Sequence, residues 1–363
     1  MSISGMLEQK RDYDAKHVRN YLTGNLCRCT GYQSIIESVL DIDTKDYVTV
    51  KQQYHSQEIH QDLLSTCQVS VALAHHQHQM LSPVSIEDAV SMLDQHQALK
   101  IYASATDLGV QYNKGHFDDQ HVLSLQLIPE LQAIECLQDS VKVGAMVSLT
   151  RVQNVVEHVL PEFAALLDIF ASPQIKNNGT LVGNIANGSP IGDTLPFLMI
   201  SEAELEIYSV DGMRRININT FYKGYKDFDL NPGEIIAYVH IPVNQNYLMR
   251  LYKVSQRRDL DISCVSAAYK MQFDQDDILT DVAIAYGGVG PTVLRMQEVE
   301  QQLSGQSKSQ IFSQDNIEQV AQELSQRVAP LSDVRGSDDF RKKLVANLYR
   351  KFVYECTQQE KAS

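Results

Sequence analysis

The stretch Ile175-Lys176-Asn177-Asn178-Gly179-Thr180-Leu181-Val182-Gly183-Asn184-Ile185-Ala186-Asn187-Gly188-Ser189-Pro190-Ile191-Gly192-Asp193 interrupts a chain that otherwise alternates helix-like and strand-like patterns. Four glycines and four asparagines in nineteen residues predict a long loop without regular periodicity over 176–193. Backbone N–H groups in such a loop can line a concave surface for an anion. The Thr180 hydroxyl and the Asn184 amide add donors suited to phosphate oxygens. Composition alone allows an irregular surface loop equally well. The spacing matches neither a P-loop nor Gly-x-Gly-x-x-Gly, so a nucleotide-type ligand here would sit on another scaffold.

Working outward, Ser85 caps a predicted helix that carries Ile86, Ala89, Val90 and Leu93 at helical spacing. A short strand, Leu99-Lys100-Ile101-Tyr102-Ala103, then breaks into Ser104-Ala105-Thr106-Asp107. Such a strand-to-loop junction can present amides to a diphosphate, or it is a plain strand–helix turn. Strands are predicted at 122–125, 133–137 and 141–143, and helices at 149–159 and 163–169. Beyond the loop, strands resume at 204–210, 235–241, 251–254, 265–273 and 281–286. Between two of them, Lys253-Val254-Ser255-Gln256-Arg257-Arg258-Asp259-Leu260-Asp261-Ile262 reads as a salt-bridged turn. Beside a redox ring, its arginines would also stabilise an anionic reduced form. The tail is helical, with one stripe of Ile317, Val320, Ala321, Leu324 and Val328 and a second of Phe340, Leu344, Val345, Leu348, Tyr349 and Phe352.

The N-terminal segment has a different chemistry, carried by Gly24-Asn25-Leu26-Cys27-Arg28-Cys29-Thr30-Gly31-Tyr32. Two cysteines one residue apart, flanked by glycines and placed at the mouth of a helix, suit a metal; an ordinary pair of free thiols is the alternative. No Cys-x-x-Cys accompanies them, and a two-iron cluster needs four ligands. Ser34 and Glu37 have capping-box spacing ahead of Ile35, Ile36, Val39 and Leu40. Residues 43–80 are rich in Gln and His, without Gly or Pro, and read as a linker with solvated histidines.

Composition bounds the class. The chain is 44% hydrophobic and 21% charged, which is a globular balance. A formal charge of −14 argues against a nucleic-acid partner, because phosphate neutralisation needs clustered Lys and Arg. No apolar run reaches the roughly 18 residues of a membrane span, and no signal-peptide pattern opens the chain. Six cysteines, four of them scattered (Cys67, Cys136, Cys264 and Cys356), form no disulfide framework, and a cytoplasmic location is the simplest expectation.

Three strings in this order, 24–32, 178–193 and Ala329-Pro330-Leu331-Ser332-Asp333-Val334-Arg335-Gly336-Ser337, resemble the iron–sulfur/flavin subunits of bacterial xanthine dehydrogenases, in the molybdenum hydroxylase family. The resemblance covers 1–42 and about 83–357. It implies an α+β chain of four parts. These are a partial, C-terminal half of a helical [2Fe-2S] domain at 1–42, the linker 43–80, a two-subdomain PCMH-type FAD-binding domain at 81–250, and a CO dehydrogenase flavoprotein C-terminal-like domain at 251–363. It implies FAD, NAD as acceptor, and a separate molybdenum-cofactor large subunit that oxidises hypoxanthine and xanthine, within a hetero-oligomer. Electrons would pass through iron–sulfur to FAD and on to NAD. Another N-heterocycle as substrate, or a purely structural subunit, are the rival expectations.

Carried over by position, the first FAD loop would be Ile101, Tyr102, Ala103, Ser104, Ala105, Thr106, Asp107 and Leu108. The second would be Thr180, Leu181, Val182, Gly183 and Asn184, with Asp193 also at the cofactor. Phe170 would pack on the flavin ring, with Ile236 and Lys253 as further contacts, while Tyr225, Arg257 and Asp261 would flank the nicotinamide and flavin. Cys27 and Cys29 would be two of the four [2Fe-2S] ligands. Ser104, Ala105 and Val182 stand where the family usually has glycine, and the chain looks N-terminally truncated within the second cluster domain.

Overall fold

Three hydrophobic cores organise the chain, whose computed structural model describes residues 1–9, 12–27, 29–45, 47–96, 98–116, 121–243, 247–258 and 260–362. Arg28 and Asp259, which belong to two of the motifs above, lie outside the described residues. The architecture is mixed α+β.

The first core is small. Helices Ser2–Gln9, Ala15–Leu22 and Gln33–Leu40 bring together Met6, Leu7, Val18, Ile36 and Val39. Asp14 caps the second helix, its carboxylate accepting the His17 N–H at 2.9 Å. The Ser34–Glu37 capping box does not form. Tyr32 is the cap residue, with φ 60°, and Ser34 lies inside the helix, while Glu37 accepts from Gln33 at 2.7 Å.

The expected linker is more structured than its composition suggested. It contains helices Val50–Tyr54 and Gln57–Thr66, and the boundary at 80 falls inside strand His78–Ser82. That strand joins a four-stranded sheet in the order Val71–His75, His78–Ser82, His121–Ser124, Lys100–Tyr102. The first pair is antiparallel and the other two pairings are parallel. Parallel pairing needs crossover connections, which helices Ile86–Gln95 and Leu108–Asn113 supply.

A second, antiparallel sheet runs Ile134–Cys136, Ser140–Gly144, Ile235–Pro242, Glu204–Ser209, Gly212–Asn217. Seven successive residues of the central strand, 235–241, are buried, so both of its faces are covered. Both sheets share one large core, in which Phe163 and Phe197 stack at 4.1 Å.

The third core lies under a four-stranded antiparallel sheet of Leu248–Val254, Val265–Phe273, Leu279–Gly287 and Leu294–Arg295. Helices Gln314–Gln326 and Asp338–Ala362 cover it with the two predicted apolar stripes, except Phe340, which stays exposed near the start of the second helix. The expected division at 250/251 falls within strand Leu248–Val254. No helix of the described residues is long and apolar enough to cross a membrane.

Candidate functional site

The site begins where two chain segments converge. The strand Lys100–Tyr102 ends in the turn 103–107, and Ala105 there has φ 57°. An L-residue in this left-handed region costs about 1–2 kcal/mol, so a glycine-like conformation persists although the residue carries a Cβ. The carbonyl of Ala105 accepts the Gly109 N–H at 2.8 Å, which fixes the turn onto helix Leu108–Asn113.

The facing segment is not the irregular loop that its composition predicted. Helices Pro173–Lys176 and Leu181–Asn187 occupy much of it. Thr180 caps the second, its hydroxyl accepting the Gly183 N–H at 3.0 Å. Leu181, Val182 and Ile185 enter the main core, so burial outweighs the poor helix propensity of Gly and Asn. A Cβ on Gly179 would lie 3.1 Å from the Ile175 carbonyl and 3.4 Å from Thr106 Oγ1. Glycine at 179 thus fits the close turn in which its own N–H donates to the Ile175 carbonyl at 2.7 Å, while the Thr106 contact would be an ordinary one.

Between them lies a cleft of about 660 Å³, within the usual range for cofactor sites. Ile101, Ala103, Ser104, Ala105, Thr106, Asp107, Leu108, Phe170, Thr180, Val182, Gly183, Asn184 and Ile236 line it. Its floor is apolar, formed in part by buried Leu125, Ala145, Leu149, Ile235 and Ile236. Leu181 points into the core instead and is fully buried, and Tyr102 lies outside the lining. Val182 keeps its side chain in the core while forming part of the wall.

Asp193 and Lys253 also lie outside the lining, because they satisfy each other. Lys253 Nζ sits 2.5 Å from Asp193 Oδ2, and the Lys253 side chain is 1% exposed. Ser263 Oγ donates to Asp193 Oδ1 at 2.5 Å and accepts from Lys253 at 2.9 Å. Tyr225 is exposed, apart from the cleft lining, on the turn between Tyr222–Gly224 and Asp227–Phe228. Arg257 and Asp261 form their own turn: the Arg257 N–H donates to Asp261 Oδ2 at 2.9 Å and, with the guanidinium, holds that carboxyl below its ordinary range.

Lys100, Gln111, Asn187, Lys226 and Phe228 also line the cleft, and the sequence reading missed them. Lys100 and Asn187 lie inside the quoted stretches 99–103 and 175–193 without having been singled out, and Tyr225 stands one residue short of Lys226. The hairpin is set by tertiary contacts, with Tyr222 donating to the Ile185 carbonyl at 2.9 Å.

The cysteine loop precedes its helix rather than opening it. The Tyr32 hydroxyl accepts the Cys27 N–H and donates to the Asn25 carbonyl at 2.6 Å. Cys27 and Cys29 are exposed, and the Thr30 hydroxyl beside Cys27 lowers that thiol from its ordinary range. The loop packs beside the cleft: Asn20 donates to Asp168 at 3.0 Å, and Gly24 abuts Gln174, next to the lining residue Ile175. Among the described residues no group of three or more His, Cys, Asp or Glu is placed to hold a metal ion. Cys27 and Cys29 would supply two of the four ligands that a two-iron cluster needs.

Three family models match in succession: a [2Fe-2S] binding domain at 1–40, the FAD binding domain in molybdopterin dehydrogenase at 76–244, and the CO dehydrogenase flavoprotein C-terminal domain at 250–356. This succession of an FAD binding domain and a flavoprotein C-terminal domain is the one found in molybdopterin dehydrogenases, and the fold agrees with it. The xanthine dehydrogenase FAD-binding subunit of Escherichia coli O157:H7 is 28% identical over 276 residues, 75% of this chain and 93% of that one. The xanthine dehydrogenase of Drosophila subobscura is 24% identical over 405 residues, which cover 96% of this chain and 30% of that much longer protein. The solved carbon monoxide dehydrogenase from Hydrogenophaga pseudoflava, in a form lacking the Mo-pyranopterin moiety, shares the fold with a TM-score of 0.70 at 23% identity, over 77% of this chain and 96% of that one. The chain carries these three domains in order and is homologous to xanthine dehydrogenase FAD-binding subunits, which are molybdenum hydroxylase family members.

Proposed function

We propose that this chain is the FAD-binding electron-transfer subunit of a xanthine dehydrogenase-type enzyme, receiving electrons released from hypoxanthine or xanthine on a separate molybdenum subunit and delivering them to NAD. The observation that carries the reading is the cleft itself, whose walls are the turn 103–107 and the capped helix Leu181–Asn187. Bound FAD would supply hydride exchange with a nicotinamide and uptake of electrons from a redox partner.

In this reading the backbone of 103–107 and the Thr180 cap face the ligand's diphosphate. Phe170 and Ile236 offer apolar surface to the isoalloxazine ring. Asp193, Lys253 and Ser263 hold the start of helix Thr194–Ile200 against strand Leu248–Val254, fixing the cofactor domain to the C-terminal unit. Tyr225 and the Arg257–Asp261 turn present exposed groups to a nicotinamide. Among the described residues no disulfide joins any of the cysteines.

The test is direct. The purified chain incubated with FAD should retain flavin absorbance through desalting, and should oxidise NADH with an artificial acceptor. FAD retention without NADH oxidation would remove the NAD step; no retention would remove the reading as a whole. A purely structural subunit is the second reading, favoured by the strained Ala105 and the incomplete thiolate set. NADH oxidation would eliminate it. Assays of purines and other N-heterocycles with the molybdenum subunit present would separate the substrates.

A further inference from the structure

The cleft has an apolar floor and a charged lip. Among the described residues that line it, Lys100 and Lys226 are the cations and Asp107 the carboxylate, and all three are exposed at the open edge. Asp107 is already engaged: its Oδ2 accepts from Gln111 Nε2 at 2.5 Å. The lip is therefore cationic on balance, in a chain whose net charge is −14.

Lys226 reaches the lip from a braced strap. Its backbone is left-handed, φ 56°, at the turn of the hairpin Tyr222–Gly224/Asp227–Phe228. Tyr222 anchors the hairpin to the Ile185 carbonyl, and Phe228 stacks on buried Phe221 at 5.4 Å. Gly188, φ 55°, leaves room for the Phe228 ring, whose Cε1 would stand 2.5 Å from a Cβ there. The Lys226 ammonium donates to the backbone and side-chain oxygens of Asn187, the latter at 2.7 Å. An ammonium has three N–H donors, so after these two bonds one is left for the cleft. Partial burial draws this group below the ordinary lysine range; Asp107 opposes that shift and Lys100 adds to it. An anion at the lip would relieve the repulsion between the two cations.

We infer that Lys226, held by Asn187 and acting with Lys100, clamps the diphosphate of a dinucleotide and makes the cleft select FAD over unphosphorylated flavin. This rests on the FAD reading of the cleft. It adds a charge-based selection to the backbone amides of 103–107. A lysine at a helix C-terminus also has a plain structural use, since it complements the helix dipole at Asn187. The two roles differ in which ligands respond to its removal.

The experiment titrates the full chain with FAD, riboflavin and ADP, following flavin fluorescence directly and ADP by competition. Lys226→Gln should weaken FAD and ADP by about fivefold, the effect of one partly exposed charge-assisted hydrogen bond, and leave riboflavin within about twofold. Lys226→Arg should restore most of the FAD affinity. Lys100→Gln, which leaves the strap untouched, should act in the same direction as Lys226→Gln, and both should flatten the salt dependence of FAD binding. Unchanged FAD affinity in Lys226→Gln, or equal losses for FAD and riboflavin, would overturn the clamp while leaving the FAD reading intact. Failure of the unmodified chain to bind either flavin would overturn both.

Discussion

Removing one partner of the Asp193–Lys253 pair should be among the most damaging single changes in the chain. The Lys253 side chain is 1% exposed and Asp193 6%, and Ser263 bonds to both. Lys253→Met leaves a buried carboxylate with one hydroxyl donor, a loss of about 3–5 kcal/mol. Asp193→Leu strands the ammonium in the same way, at a similar cost of about 3–5 kcal/mol. The double variant removes both charges together. What it leaves is the Ser263 hydroxyl without its two partners, worth about 1–3 kcal/mol. The singles thus sum to about 6–10 kcal/mol while the double costs far less, a coupling of at least about 3 kcal/mol. The chain has no tryptophan, so urea unfolding of the apo protein is followed by far-ultraviolet circular dichroism. Additive losses in the double variant would refute the buried pair.

Other outcomes follow from the same geometry. Thr180→Ala should cost about 1 kcal/mol by removing the cap on the Gly183 N–H and should lower FAD affinity, with Thr180→Ser recovering most of both in denaturation and flavin titrations. Ala105→Gly removes the Cβ from a φ of 57°; the relief of about 1–2 kcal/mol is offset by about 0.4–1 kcal/mol of chain entropy, so stability should change little while FAD titration shows tighter binding. Partial burial works against ionisation of Asp333, but the Arg335 backbone N–H and the Arg341 guanidinium outweigh it and hold the carboxyl at about 2. Because the folded value lies below the ordinary 3.8, the stability this group contributes is full above that pH and disappears as pH falls from 3.8 through about 2. Asp333→Asn should therefore lower stability at neutral pH and flatten the acid-side loss, measured by urea midpoints across that window.

Local pattern carried much of the architecture. The strand predicted at 265–273 is the observed Val265–Phe273, and most of the two apolar stripes of the tail enters the third core; Phe340 is the exception, exposed on Asp338–Ala362, and Val328 is buried just past the end of Gln314–Gln326. The helices were legible because burial of one face writes a period into their residues, whereas the strand, buried continuously over 265–271, was legible as a short strand-like segment between turns. Most of the two cleft segments was legible too, since a strand end and a glycine-rich stretch are local signals.

What the sequence by itself determined was the mixed α+β class and, through the ordered strings at 24–32, 178–193 and 329–337, the family. Tertiary structure alone decided the rest. It turned part of 176–193 into helix Leu181–Asn187, because core burial of Leu181, Val182 and Ile185 outweighs weak propensity. It brought Lys226 to the cleft lip through a hairpin with a left-handed turn, a conformation that composition does not announce. It also took Asp193 and Lys253, 60 residues apart, out of the lining and into a buried pair. No periodicity relates such positions; only the packing of one sheet against another domain's helix brings the charges together, and once desolvated each must find the other.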